Sequence, residues 1–223
     1  FISPFINDKP VAIFISHSHH DHIKYLEQYI EFFPGIFVFG HSISADKFLH
    51  TNFKIINNNE TIKIGKFQIT AIHTPGHYFD SICYLIPPVI FTGDTVFVGR
   101  TGRVISSGSN IEELYNSIYN KILTLPNHTR IYPGHHYGDQ KSISLKNNIK
   151  KSPLLQASSL DDFLMRMVEY EKNRLKGLGI NNDVEHVALV NVALGYDIKS
   201  WETKRIMDIN TCTVPRPLVK AEA

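Results

Sequence analysis

Val11-Ala12-Ile13-Phe14-Ile15-Ser16-His17-Ser18-His19-His20-Asp21-His22 joins two patterns that rarely meet by accident. The first five residues are a continuous apolar, β-branched run, the composition of a strand covered on both faces. It runs directly into four imidazoles and a carboxylate. In an extended loop residues i and i+2 point the same way, so His17 and His19 can converge on one ion. Asp21 and His22 fall where the chain turns into a helix, point elsewhere, and can serve a second ion. Imidazole and carboxylate suit zinc and related borderline ions, and the lack of thiolate argues against a closed structural zinc site. A single tetrahedral ion would leave a ligand idle; two ions use them all.

Downstream the chain repeats this design. Ile23, Leu26, Ile30 and Phe33 have helical spacing, stopped by Pro34-Gly35. A short strand is expected over 36–39, a short helix over 45–50 and a turn at Asn57-Asn58-Asn59. A hairpin through Gly65 joins 62–64 to 66–72, with Phe67, Ile69 and Ala71 on one face. Strands over 82–86 and 89–92 flank Pro87-Pro88. A helix over 111–123 carries Leu114, Ile118 and Ile122 on one stripe, with Asn110 as N-cap. A strand over 129–132 follows. Three of these strands end in a glycine and then a metal-binding type of residue: Gly76-His77, Gly93-Asp94 and Gly134-His135. A glycine there suits a tight turn at a strand's end. Seven ligand-type side chains are thereby expected at one rim, where loops on a rigid sheet collect function.

Residues 158–176 read as helix again. The boundary is placed at 150–159, giving a metal-bearing core over 1–155 and a helical C-terminal extension over 156–223. A further helix is expected over 184–194, and an extended terminus around Val214-Pro215-Arg216-Pro217-Leu218. The 223 residues, 43% hydrophobic and 20% charged, suffice for one large domain. A net charge of +2 recommends neither nucleic acid nor an anionic membrane as partner. No apolar run spans a bilayer and the first ten residues lack signal-peptide character. The two cysteines, Cys83 and Cys212, are too far apart in sequence for a CxxC motif, so a reducing cytoplasm is the expected location and Cys83 is expected to be a packing residue.

Ser16 to His22, Thr74-Pro75-Gly76-His77, Thr92-Gly93-Asp94-Thr95 and Pro133-Gly134-His135 resemble, in order and spacing, the metallo-β-lactamase superfamily. More narrowly, the runs from Gly93 to Arg103 and from Gly134 to Gly138 are similar to the glyoxalase II group. That group holds hydroxyacylglutathione hydrolases and the related persulfide dioxygenases. The resemblance covers about 11–155. It implies an α/β (α+β) fold, a four-layer αβ/βα sandwich with the metals at one edge of its sheets. Two divalent ions are implied, zinc first, with iron or manganese as alternatives. His17, His19 and His77 are implied to hold one ion and Asp21, His22 and His135 the other, with Asp94 bridging. Family members begin with strands ahead of the position of Val11, for which only ten residues stand here, so a first sheet lacking N-terminal strands is expected. His136 stands where the family carries an acidic residue. His20 is expected to face solvent, His73 to support the site by hydrogen bonding, and His41, His50, His128 and His186 to have ordinary surface or capping roles.

The resemblance implies a metal-dependent thioester hydrolase, with Asp94 and Asp21 as catalytic residues. Arg103 and Tyr137 are implied to contact a small thiol-derived substrate such as a glutathione conjugate. A thiolate leaves readily, its reference pKa being roughly 8.5. Asp94 sets the chain apart from true β-lactamases, which resemble one another in a cysteine or serine at that place. No Gly-x-Ser-x-Gly turn competes as a nucleophile. Two alternatives stand. One is oxidation of glutathione persulfide at a single iron held by His17, His77 and Asp94, the facial-triad donor set. The other is a non-catalytic metal-binding fragment. Lys172, Arg174 and Lys176 receive no assignment.

Overall fold

The computed structural model describes residues 10–48 and 52–177. Expectations for residues 1–9, His50, His186, Cys212, the 184–194 helix and the 214–218 tail lie outside the described residues, as does the side chain of Lys176.

The first unit is a three-stranded parallel sheet of β1 (Ala12–Phe14), β2 (Phe37–Gly40) and β3 (Asn52–Ile55), in the order β1-β2-β3. Parallel neighbours need crossovers. Helices α1 (His20–Ile23) and α2 (Leu26–Phe32) supply the first, and a 3-10 helix, Ser42–Phe48, lies in the second. The strand alternation assigns the faces. Ile13 and Ile15 meet Ile23, Leu26 and Ile30 on the helical side. Phe14 points the other way, stacking on Phe39 at 4.9 Å and meeting Tyr84 edge-on at 5.1 Å.

Three details differ from the sequence reading. The single helix over 23–33 is two helices, and the first begins inside the ligand cluster. Strand β3 alternates polar and apolar residues over only the four positions Asn52-Phe53-Lys54-Ile55, and was not expected. β1 lies between the helices and the large sheet, as its apolar run suggests, but is only half-buried because it forms the sheet's edge.

The second sheet has six strands in the order β11-β10-β7-β6-β5-β4. β4 (Thr61–Ile64), β5 (Phe67–His73), β6 (Ile82–Ile86) and β7 (Val89–Gly93) form an antiparallel meander. Gly65, at φ 57°, makes the first two-residue turn. At its tip Phe67 is half exposed, with the Lys66 ammonium 5.6 Å above its ring. A small ribbon, β8 (Val96–Phe97) with β9 (Arg100–Thr101), follows β7. The chain then crosses through α3 (Ile111–Ser117) to β10 (Arg130–Pro133), parallel to β7, and on to β11 (Ile143–Ser144). Helices α4 (Leu145–Lys151) and α5 (Leu160–Gly177) complete the described fold.

Asn110 caps α3 by accepting the Glu113 amide at 3.0 Å, and the expected helix to 123 continues as a π turn over Ile118–Ile122. Leu114, Ile118 and Ile122 are completely buried against Ile90, Ile131, Phe163 and Met167, each contributing about 1.5–3 kcal/mol. Between the sheets, Phe14 packs with Ile56, Ile69, Ala71, Ile82 and Tyr84. The result is four layers, α1–α2, small sheet, large sheet, α3–α5: the mixed α/β sandwich.

Strand direction positions the site. β5 and β7 both run antiparallel to β6, so they point the same way, and β10 runs parallel to β7. All three deliver their following residues to one edge. The end of β1 reaches that edge too, where the Ile82 amide donates to the Ser16 carbonyl at 2.7 Å.

Candidate metal centre

The seven side chains implied as ligands lie together. The ring nitrogens His17 Nε2 and His19 Nδ1 are 2.9 Å apart, and His77 Nε2 is 3.2 Å from His19 Nδ1. On the other side, His22 Nε2 faces His135 Nε2 at 3.1 Å, and His135 Nε2 lies 3.2 Å from Asp21 Oδ2. Asp94 stands between: Oδ1 is 3.4 Å from His22 Nε2, while Oδ2 is 3.5 Å from His135 Nε2 and 3.8 Å from His77 Nε2. Three ligand groups follow, His17-His19-His77, His17-His22-Asp94 and Asp21-His22-His135, each with its donor atoms within 4.8 Å of one another.

Facing ring nitrogens at this range need a proton or a cation between them. Burial first, and then the neighbouring imidazoles, hold His17 well below the usual histidine range and push His19 down to about 3. His77 is also lowered, again chiefly by burial, although Asp94 pulls the other way. His135 is raised: its burial opposes this, but the hydrogen bond to Asp21 and the charge of Asp94 prevail. For both carboxylates burial is the largest influence and pushes upward. A hydrogen bond from His135 to Asp21, another from His22 to Asp94, and the surrounding imidazoles prevail and lower both. Neutral imidazoles with ionised carboxylates are the protonation states that metal ions require. Asp21 Oδ2 and Asp94 Oδ1 are buried oxygens pointed at ring nitrogens, 3.2 Å from His135 Nε2 and 3.4 Å from His22 Nε2. The donor set fits divalent ions.

Several partners that orient these groups were invisible in the sequence. His77 Nδ1 bonds to the Arg103 carbonyl at 2.8 Å, which turns Nε2 towards the centre. Ser16 Oγ lies 3.2 Å from His17 Nδ1 and 3.4 Å from His22 Nδ1. Asp80, 1% exposed, accepts the Ser18 amide at 3.3 Å, and Lys47 donates to Ser18 Oγ at 2.7 Å. The only sequence signal for Asp80 was an acid amid apolar neighbours. Removing it strands the buried Ser18 amide, so Asp80→Ala is expected to lower unfolding free energy by about 1–3 kcal/mol in urea denaturation.

Gly134 serves space rather than turn geometry. A Cβ there would stand 2.5 Å from Asp94 Oδ1 and 2.9 Å from His22 Cε1. Gly134→Ala is therefore expected to weaken metal affinity about 10–100-fold in chelator competition, with the far-ultraviolet circular dichroism unchanged. Gly76, at φ 128°, lies against the Leu114 backbone, where no side chain fits.

Tyr137 stacks on the His135 ring at 5.1 Å. Arg103 is 9% exposed, and its charge lies near enough to the centre to lower His77. His20, His128 and His136 are exposed. His41 accepts the Ile43 amide and stacks on His73 at 4.1 Å, and His73 Nε2 bonds to the Phe79 carbonyl, bracing the loop after His77. Arg174 pairs with Glu171 at 2.7 Å, and Lys172 is exposed. Cys83 is fully buried and its thiol is pushed up to about 11, chiefly by that burial, which leaves it inert as a nucleophile. Among the described residues no helix is long and apolar enough to cross a membrane.

A family model described as the metallo-beta-lactamase superfamily matches residues 24–135. The probable polyketide biosynthesis zinc-dependent hydrolase BaeB of Bacillus velezensis is 31% identical over 154 residues, 69% of this chain and 68% of that protein. The probable polyketide biosynthesis zinc-dependent hydrolase PksB of Bacillus subtilis is 30% identical over the same length and shares. Among solved structures, ETHE1 from Myxococcus xanthus is similar at a TM-score of 0.66 and 26% identity, over 87% of this chain and 82% of that one. TTHA1623, solved in a di-iron-bound form, shares the fold at a TM-score of 0.56 and 24% identity, over 66% of this chain and 78% of that one.

Proposed function

The chain belongs to the metallo-beta-lactamase superfamily, and from that premise we propose that it is a metal-dependent hydrolase of thioesters, glyoxalase II-like, with a hydroxyacylglutathione as the substrate type. The observation that carries this reading is the position of Asp94, whose two oxygens face His22 on one side and His77 on the other, so that one carboxylate would serve both ligand sets. His17, His19 and His77 would hold one divalent ion, and Asp21, His22 and His135 a second. Zinc is the first choice, as in the zinc-dependent hydrolases to which the chain is similar. When bound, the ions supply a water of lowered pKa and a Lewis acid for the carbonyl.

The chain's own residues do the rest. Asp94, 3% exposed, keeps its charge in a site that excludes bulk water, where that charge acts strongly. Asp21, with 17% of its side chain accessible, is the carboxylate that water can reach, and it accepts the proton released on attack. His77, locked by the Arg103 carbonyl, cannot rotate away. Tyr137 floors the approach beside His135.

The test is thiol release from S-lactoylglutathione by metal-reconstituted protein, with elemental analysis on the same sample. Thiol release with two ions per chain supports the proposal. Full metal occupancy without release above background sinks it, and no turnover with any metal or substrate returns the reading to a non-catalytic fragment. A second reading, a persulfide dioxygenase with one iron, draws on the likeness to ETHE1. Oxygen uptake with glutathione persulfide and one iron per chain would establish it instead.

A further inference from the structure

Arg100, on β9, is a partly buried cation beside the centre that the mechanism does not use. Its guanidinium carbon lies 4.1 Å from the centroid of the Tyr137 ring and 5.2 Å from that of Phe97. Nη1 donates to the Tyr170 hydroxyl of α5 at 3.1 Å. Among the described residues no carboxylate stands within ion-pair distance of it, whereas Arg166 pairs with Asp162 and Arg174 with Glu171. Its Nε is buried without a partner. An unneutralised guanidinium away from bulk water is costly. Here an aromatic face and a phenol hydroxyl hold it in one orientation, with the far edge of its planar fork still offering donors.

We propose that Arg100 anchors an anionic group on the thiol half of the substrate, with Tyr137 as its floor and Tyr170 as its strut. This deepens the thioesterase reading and rests on it. The stack runs His135, Tyr137, Arg100, so the cation sits two ring layers from a residue of the metal centre. That separation suits the carboxylate of a short peptide thiol better than the phosphate at the end of a phosphopantetheine arm. A guanidinium grips either anion bidentately, which a lysine cannot. Arg103, 9% exposed, is the less accessible of the two arginines. The sequence offered only an arginine in a glycine-rich loop, and the helix that braces it lies 70 residues away.

The experiment compares the zinc-loaded wild type with Arg100→Gln and Tyr170→Phe on two thioesters. S-lactoylglutathione carries carboxylates; S-lactoyl-N-acetylcysteamine carries no anion. The ratio of their kcat/KM values is expected to fall about 20-fold in R100Q and about threefold in Y170F, the loss appearing in KM. A ratio unchanged within twofold in R100Q, or an equal loss on both thioesters, overturns the proposal. Binding of S-hexylglutathione, which is not cleaved, is measured by calorimetry on the same proteins and is expected to weaken in parallel. If the wild type cleaves neither thioester and R100Q still weakens S-hexylglutathione binding, the hydrolase reading fails and the anchor stands. Lactoyl-phosphopantetheine as a third substrate separates the sources: a larger R100Q effect there assigns the anion to a phosphate.

Discussion

Asp94→Asn is expected to reduce kcat/KM on S-lactoylglutathione by about 1000-fold, a loss of about 4 kcal/mol in transition-state stabilisation. The substitution keeps the volume and one acceptor oxygen, so the surrounding packing survives. It replaces the other oxygen with an amide that can only donate, and removes the charge shared between the two ligand sets. With Asp94 3% exposed, no water can take over that charge. Elemental analysis should show fewer than two ions per chain, because the carboxylate oxygens face His22 on one side and His77 on the other. A variant that kept full metal content and more than a tenth of the wild-type rate would remove Asp94 from its bridging role.

Metal removal is expected to produce the largest change in stability. Ions that bind the folded chain alone stabilise it by about 4 kcal/mol at a thousandfold excess over Kd. For a chain of this size that is roughly 8–16 °C in Tm, measured by differential scanning calorimetry with zinc against chelator. The sign of the pH dependence follows from the imidazoles. His17, His19 and His77 have folded pKa values below the ordinary 6.5, so below that pH the unfolded chain takes up protons that the folded chain refuses, and stability falls with acid. His135, raised above 6.5, opposes this: its contribution is fully present below 6.5 and is lost as pH rises through its folded value. Three groups outweigh one, and zinc itself needs deprotonated ligands. The zinc-dependent shift in Tm is set by the folded ligands, so it is expected to be widest above the raised folded value of His135 and to shrink as pH falls through it, because His135 must then give up a proton to bind zinc. A shift that grew on acidification would contradict the assignment of these histidines to the metal.

Much of the fold was legible because it is local. The hairpin at Gly65, the Asn110 cap and the Leu114, Ile118 and Ile122 stripe each follow from residues within a few positions of one another. β3 was missed because the polar–apolar alternation of Asn52-Phe53-Lys54-Ile55 is only four residues long, and its pairing with β2 lies outside the segment. The break between α1 and α2 was missed because the apolar spacing runs on through it.

The same division holds at the centre. Sequence alone determined that His17, His19, Asp21, His22, His77, Asp94 and His135 are side chains of a metal-binding type, and that they come at or soon after strand ends, since both are properties of a few adjacent residues. That Asp94 stands between the two sets, that Asp80 and the Arg103 carbonyl hold the ligand loops, and that Tyr170 braces Arg100 across 70 residues were decided by tertiary structure. The physical reason is strand direction. A strand's end is written in its own residues, but which edge of the sheet it reaches, and what it meets there, depends on the strands beside it.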